Sequence, residues 1–118
     1  MTIDPNLVSY AKNRCAYYSG ASLGNLKNGY GELLRFSHVQ TVNCLIPINS
    51  WFQQRLYYKS QERPSLEYNS FTQLVWAATT KLGCAACEWR SQQEILYLCI
   101  FAPAGNIPGQ YRNNVLLQ

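Results

Sequence analysis

Near the start of the chain Leu7, Tyr10, Ala11 and the pair Arg14–Cys15 follow the i, i+3, i+4, i+7 spacing of one helical face. Asp4 is a suitable N-cap and Pro5 a suitable first helical residue, so the pattern predicts a helix over residues 5–17. Four glycines, with asparagine and serine between them, break the pattern from Ser19 to Gly31 and predict a loop. That loop lacks the G-x-G-x-x-G order and follows no strand, so it does not read as a phosphate cradle. Tyr30 to Phe36 predicts a first strand. Pro47 suits the first turn of a second helix running through Trp51, Leu56, Tyr57 and Tyr58, with a polar loop from Lys59 to Pro64.

The pattern changes at Phe71. Phe71-Thr72-Gln73-Leu74-Val75-Trp76 is rich in β-formers and reads as a strand. After a short turn at Thr79-Thr80-Lys81 a further strand is predicted from Leu82 to Arg90. Another runs from Glu94 to Phe101 and is closed by Pro103-Ala104-Gly105-Asn106. Strands this close in sequence must pair antiparallel, because a parallel pair needs a long crossover. Helices first and strands afterwards imply an α+β domain with helices packed on an antiparallel sheet. With no linker and no internal repeat, residues 1–118 read as a single domain.

Composition narrows the function classes. The chain is 47% apolar and only 14% charged, enough for a core and unlike a disordered segment. Its net charge of +4 comes from ten Lys and Arg scattered between Lys12 and Arg112, which form no stripe that tracks phosphates, so nucleic acid is not the expected partner. No apolar run approaches the roughly 18–20 residues that span a bilayer. The opening Met1-Thr2-Ile3-Asp4-Pro5 lacks the basic start and apolar run of a signal peptide.

Five cysteines, at 15, 44, 84, 87 and 99, leave two readings: disulfides in an oxidising compartment, or thiolates on a metal. Zinc needs about four well-placed ligands, whereas C-x-x-C occurs once and the only histidine is His38. The disulfide reading, with two bridges and one thiol over, therefore has more support. It implies a secreted, extracellular protein whose export signal is absent from this chain. His38 follows the first strand and reads as a surface or capping residue.

Two segments carry a family resemblance. Asn69-Ser70-Phe71-Thr72-Gln73-Leu74-Val75-Trp76, followed by Lys81-Leu82-Gly83-Cys84, is similar to G-H-F-T-Q-x-V-W and then x-G-C. Tyr97-Leu98-Cys99-Ile100-Phe101-Ala102-Pro103-Ala104-Gly105-Asn106 is similar to C-x-Y-x-P-x-G-N. Tyr30-Gly31-Glu32-Leu33 resembles Y-G-E-N, and Ser50-Trp51-Phe52-Gln53-Gln54 resembles W-Y-x-E, in the same order. On these motifs the chain resembles the CAP superfamily of cysteine-rich secretory proteins, antigen 5 and plant pathogenesis-related class 1 proteins.

The resemblance implies a three-layer α-β-α sandwich with a central antiparallel sheet, and bridges Cys84–Cys99 and Cys15–Cys87 that leave Cys44 free. The C-x-x-C then holds two separate staples rather than a redox pair. Family domains usually open with a further helix before the segment matching residues 5–17, and this sequence has no room for it. Any apolar surface that helix would cover is then redesigned, exposed or covered by a partner.

Family members commonly carry two histidines and two glutamates in a central cleft able to hold a divalent metal. The resemblance places Tyr18, Glu32, Gln54 and Ser70 at those positions, a degenerate set with one anion and no imidazole. Such a set suits neither zinc nor acid–base work at neutral pH, so no metal, no cofactor and no enzymatic activity are expected. The alternative is residual hydrolase activity centred on Glu32. A Ser-His-Asp arrangement fares no better, since the only Asp is Asp4 and the only His is His38. Some CAP domains bind sterols and lipids, and the region implied here runs from Tyr57 to Tyr68. Tyr57, Tyr58, Pro64 and Tyr68 are its candidate ligand residues for a sterol or fatty acid, although the segment also carries four charges. The other expectation is a surface that recognises a host or defence protein.

Overall fold

The computed structural model describes residues 1–18, 26, 28–59, 62–89 and 93–116. The expected loop over Ser19–Gly31 therefore lies largely outside the described residues, as do parts of the predicted Lys59–Pro64 loop and the end of the strand predicted to reach Arg90. In chain order the elements are β1 (Thr2–Ile3), α1 (Pro5–Ala16), β2 (Gly31–Ser37), α2 (Leu45–Gln53) running into a 3₁₀ turn (Gln54–Tyr57), α3 (Asn69–Leu74), β3 (Lys81–Trp89), β4 (Glu94–Ala102) and α4 (Tyr111–Asn114).

Local chemistry explains α1. The Asp4 carboxylate accepts the N–H of Asn6 at 2.7 Å and of Leu7 at 3.4 Å, and Pro5 occupies the first turn, where a missing donor costs nothing. Leu7, Ala11 and Cys15 form its buried stripe. α2 begins two residues before Pro47, and the chain then tightens into the 3₁₀ turn, so Tyr58 lies outside the helix.

The sheet order is β1-β3-β4-β2. β4 pairs antiparallel with β2 and with β3, while β1 pairs parallel with β3 through Thr2↔Lys81 and Ile3↔Leu82. The sheet is therefore mixed rather than purely antiparallel. Two residues are too short to leave a hydrophobic pattern, and backbone bonds from Thr2 to Thr80 and from Asp4 to Leu82 hold β1 in place. The segment 71–76 corrects a second expectation. It contains most of α3, with Gln54 Oε1 accepting the N–H groups of Ser70 (2.9 Å) and Phe71 (3.3 Å). A donor-rich helix start satisfied by a distant side chain overrides β-propensity.

β4 is the spine. Every residue from Ile95 to Phe101 is buried. Leu96, Leu98 and Ile100 pack against Leu7, Ala11 and Cys15 of α1. Cys99 and Phe101 pack with Leu33 and with Trp51 of α2. Because strand side chains alternate, α1 and α2 lie on opposite faces of the sheet. The fold is α+β, a four-stranded mixed sheet with four α-helices among the described residues.

Cys15 is bridged to Cys87, tying α1 to β3, and Cys84 to Cys99, directly across the β3–β4 pair. Chain-entropy arithmetic assigns about 4 kcal/mol to the first and about 3 kcal/mol to the second, because the first closes the longer loop. Cys44 is free and exposed.

Candidate functional site

The four positions that the resemblance aligned with one cleft are distributed over both faces of the sheet. Glu32 on β2 lies opposite Ile100, so its side chain faces α1 and is 0% exposed. Arg14 grips it as a fork, Nε on one carboxylate oxygen and Nη2 on the other at 3.0 Å. The hydrogen bond to Glu32 holds the Arg14 guanidinium above its ordinary pKa, against the lowering effect of burial. Tyr18 belongs to an aromatic group on the same face, 5.2 Å from Trp89 and 5.9 Å from Phe36. Gln54 and Ser70 meet in the layer of α2 and α3, where the Gln54 carbonyl closes the start of α3. The structure brings Gln54 and Ser70 together and sets Glu32 apart from them, because strand alternation turns Glu32 away from the α2 side.

A divalent metal needs several lone pairs converging on one point. The Glu32 carboxylate is engaged by a guanidinium and the Gln54 carbonyl by two backbone donors. Among the described residues, no three of His, Cys, Asp and Glu converge. The residues present do not fit a metal.

Of the four residues expected to line a lipid slot, two are packed into a core. Tyr58 and Tyr68 are 7% and 2% exposed, with rings 5.1 Å apart. They form a core with Phe71, Trp76, Tyr111 and Val115. Burial raises the pKa of Tyr58, and burial with the neighbouring Tyr68 and Tyr58 raises that of Tyr111. Tyr57 and Pro64 are exposed. Rings that satisfy one another's apolar surface fill space instead of opening it.

Two of the motifs lock together. Gln73, buried on α3, accepts the N–H of Gly105 at 2.8 Å and donates to the Thr79 hydroxyl at 3.1 Å, which in turn donates to the Pro103 carbonyl at 2.8 Å. Asn106 donates to the Asn69 carbonyl at 3.0 Å and is joined to the Thr72 hydroxyl. The F-T-Q and P-x-G-N segments therefore act on each other, stitching α3 to the chain after β4.

The open space lies elsewhere. A cleft of about 440 Å³ runs between α2 and the β3 side of the sheet. Pro47 and Ile48 of α2 form one wall, the Cys84–Cys99 bridge and Tyr97 lie on the sheet side, and Ile3 and Val8 close the far end. Its surface is almost wholly apolar. The polar side chains on its lining are Tyr97, whose hydroxyl accepts the Asn43 N–H at 2.9 Å and keeps its own proton to donate, and Lys12 of α1. Free Cys44 stands on its lining. The sequence carried one trace of this cleft: the period-2 alternation of β4, which puts Tyr97 and Cys99 on one face. The rest comes from residues that only the fold brings together.

The model of the cysteine-rich secretory protein family (CAP) matches residues 1–101. This chain belongs to that family. The match ends within β4, so it covers both bridges of this CAP chain. Among curated relatives, the secreted protein RBT4 of Candida albicans is 36% identical, over 92% of this chain and 31% of its own length. The secreted protein PRY1 of Candida albicans is 31% identical over 95% of this chain and 26% of its own length. The chain thus spans about a third or less of these relatives. Among solved structures, NaASP2 with Zn²⁺ aligns with a TM-score of 0.74 at 23% identity, over 92% of this chain and 63% of that one. The hookworm platelet inhibitor aligns at 0.75 and 20% identity, over 92% and 57%. These likenesses establish the fold of the CAP domain.

Proposed function

We propose that this CAP domain is a secreted, non-enzymatic carrier that takes an apolar small molecule, a sterol or fatty acid, into the cleft between α2 and the β3 side of the sheet. The observation that carries the reading is the cleft itself: about 440 Å³ of apolar lining with a few polar groups. That volume falls within the roughly 300–1,000 Å³ of small-molecule sites, and a few polar groups on apolar walls is their usual chemistry. A ligand hydroxyl or carboxylate has two anchors, the Tyr97 hydroxyl and Lys12. Secretion is supported by the two bridges and by relatives named as secreted proteins. The fork from Arg14 speaks against Glu32 as the acid of a hydrolase, because a carboxylate already paired and buried has no approach for substrate.

The test is equilibrium binding of labelled sterol and labelled fatty acid to the wild type and to Ala86→Trp. Ala86 is exposed and lines the cleft, so the larger ring plugs it without entering the core. Ligand should also slow alkylation of Cys44. Saturable binding lost in the plugged variant supports the reading. Binding that survives the plug, or hydrolytic turnover abolished by Glu32→Gln, overturns it and favours the alternative.

A further inference from the structure

We infer that the outward face of α2 and its 3₁₀ extension is a docking surface for an anionic lipid bilayer, an inference that goes beyond the carrier reading. α2, Leu45 to Gln53, is uncharged, and its polar residues are Asn49, Ser50 and Gln53. Its inner side buries Pro47 and Trp51. Its outer side leaves Leu45 61%, Phe52 41% and Leu56 72% exposed, with Ile48 beside them. The spacing of 45, 48, 52 and 56 puts these four side chains on one stripe of the turn surface. Exposed apolar side chains gathered on one helix face mark a surface that a partner can cover. Exposed Val42 extends the stripe toward the cleft.

Charge selects the occupant. From Leu33 to Ser60 the sequence contains no Asp or Glu, whereas Arg35, Arg55 and Lys59 are all exposed. None of the three has an ion-pair partner among the described residues. The guanidinium of Arg55 lies over the Phe52 ring, 4.6 Å from its centroid, at the border of the stripe. Glu62, the next carboxylate in sequence, is committed to α4, accepting the N–H groups of Tyr111 and Arg112. Apolar side chains flanked by Arg55 and Lys59, with no carboxylate between Leu33 and Ser60, match an interfacial helix: the stripe enters the acyl boundary and the cations meet headgroup phosphates. A second copy of this chain fits worse, because a two-fold contact would set Arg55 and Lys59 against like charges.

The test is flotation of the purified chain with vesicles of phosphatidylcholine, with and without phosphatidylserine and free of sterol. The wild type should bind the phosphatidylserine vesicles and release at high salt. Leu45→Ser/Phe52→Ser/Leu56→Ser should weaken binding at least about a hundredfold, since each side chain loses a burial contribution. Arg55→Gln and Lys59→Gln should each weaken it about fivefold. Tyr17→Ser, at the end of α1 on the opposite face, should leave it unchanged. Circular dichroism and intact bridges verify that each variant is folded. Binding that is equal on neutral vesicles, or that survives the triple change, overturns the inference. So does a dimer that the triple change dissolves, which would make the stripe a contact between copies. Ligand uptake into the cleft is read separately, with Ala86→Trp, so either reading can fail without the other.

Discussion

Replacing Arg14 with Met tests whether Glu32 is a structural or a functional carboxylate. The substitution keeps the aliphatic stem of the side chain and removes the guanidinium fork. Glu32 then keeps its 0% exposure and loses the two-pronged Arg14 contact, while its other contacts stay in place. Breaking a buried pair by deleting one partner costs about 3–5 kcal/mol, mostly the desolvation of the abandoned charge. Arg14 is itself 30% exposed, so water can follow into the space it leaves, and the lower figure, about 3 kcal/mol, is expected here. For a chain of this length that is a fall of roughly 12 °C in Tm, taking about 4 °C per kcal/mol. Differential scanning calorimetry with the bridges intact measures it. The double change Arg14→Met/Glu32→Leu should recover most of the loss, since apolar replacement of a buried pair is close to neutral. The coupling free energy from the full cycle should therefore be large. A fall of less than about 1 kcal/mol in Arg14→Met would refute the reasoning. It would mean that Glu32 reaches water or another cation, and the hydrolase reading would regain ground.

Three further outcomes follow from the packing. Gly83 faces α1 so closely that an added Cβ would stand 2.2 Å from the Val8 nitrogen and 2.3 Å from the Leu7 carbonyl carbon. Gly83→Ala should therefore cost about 3 kcal/mol or more in urea unfolding, because only backbone movement relieves the contact. Gln73→Ala removes an acceptor of the Gly105 N–H and a partner of Thr79, for a loss of about 1–3 kcal/mol, while Ser70→Ala, whose described bond is through its backbone, should cost little. The third outcome concerns alkaline pH. Tyr58 and Tyr111 have folded pKa values above the unfolded value of about 10, so the folded state holds their protons longer. Their contribution is fully present below that pH and is lost as pH rises through the folded values. Tyrosinate absorbance should show these rings titrating only with unfolding, and early titration of all nine tyrosines in folded protein would contradict this.

What was legible in the sequence had local causes. Asp4-Pro5 and the spacing of Leu7, Ala11 and Cys15 sufficed for α1, since its cap and its buried stripe lie within one segment. The apolar run from Glu94 to Phe101 read as a strand, and it is β4, buried from Ile95 to Phe101. What was misread had distant causes. Residues 71–76 are strand-like by composition, but Gln54, sixteen residues before Ser70, accepts the first N–H groups of α3, and Gly105 occupies the Gln73 carbonyl from the other side of the sheet region. The sheet became mixed through β1, whose two residues carry no period at all.

The same distinction explains why Tyr58 and Tyr68 fill space where a slot was expected. Aromatic residues at 57, 58 and 68 suggested a slot, because a half-polar ring suits both a ligand wall and a core. Whether Tyr58 lines an opening or fills one depends on Tyr111, about fifty residues later, whose ring stacks 6.2 Å away and completes the cluster. The cleft that remains open is bounded by Ile3, Val8, Pro47, Ile48 and the Cys84–Cys99 bridge, pieces of five elements. None of these residues carries distinctive chemistry, and an apolar site made of ordinary core residues differs from core only in being uncovered. α2 makes the point most directly. Between Leu45 and Gln53 it buries Pro47 and Trp51 and leaves Leu45, Ile48 and Phe52 exposed. Apolar positions along a chain count the surfaces that need covering; they do not say whether the cover comes from the same chain, a ligand or a bilayer. The two proposals assign the cleft to a ligand and the α2 stripe to a bilayer, and both surfaces include Ile48. A molecule leaving a membrane along the stripe would therefore reach the cleft without crossing open water, which links the two proposals in space while the vesicle and plug experiments keep them separate in test.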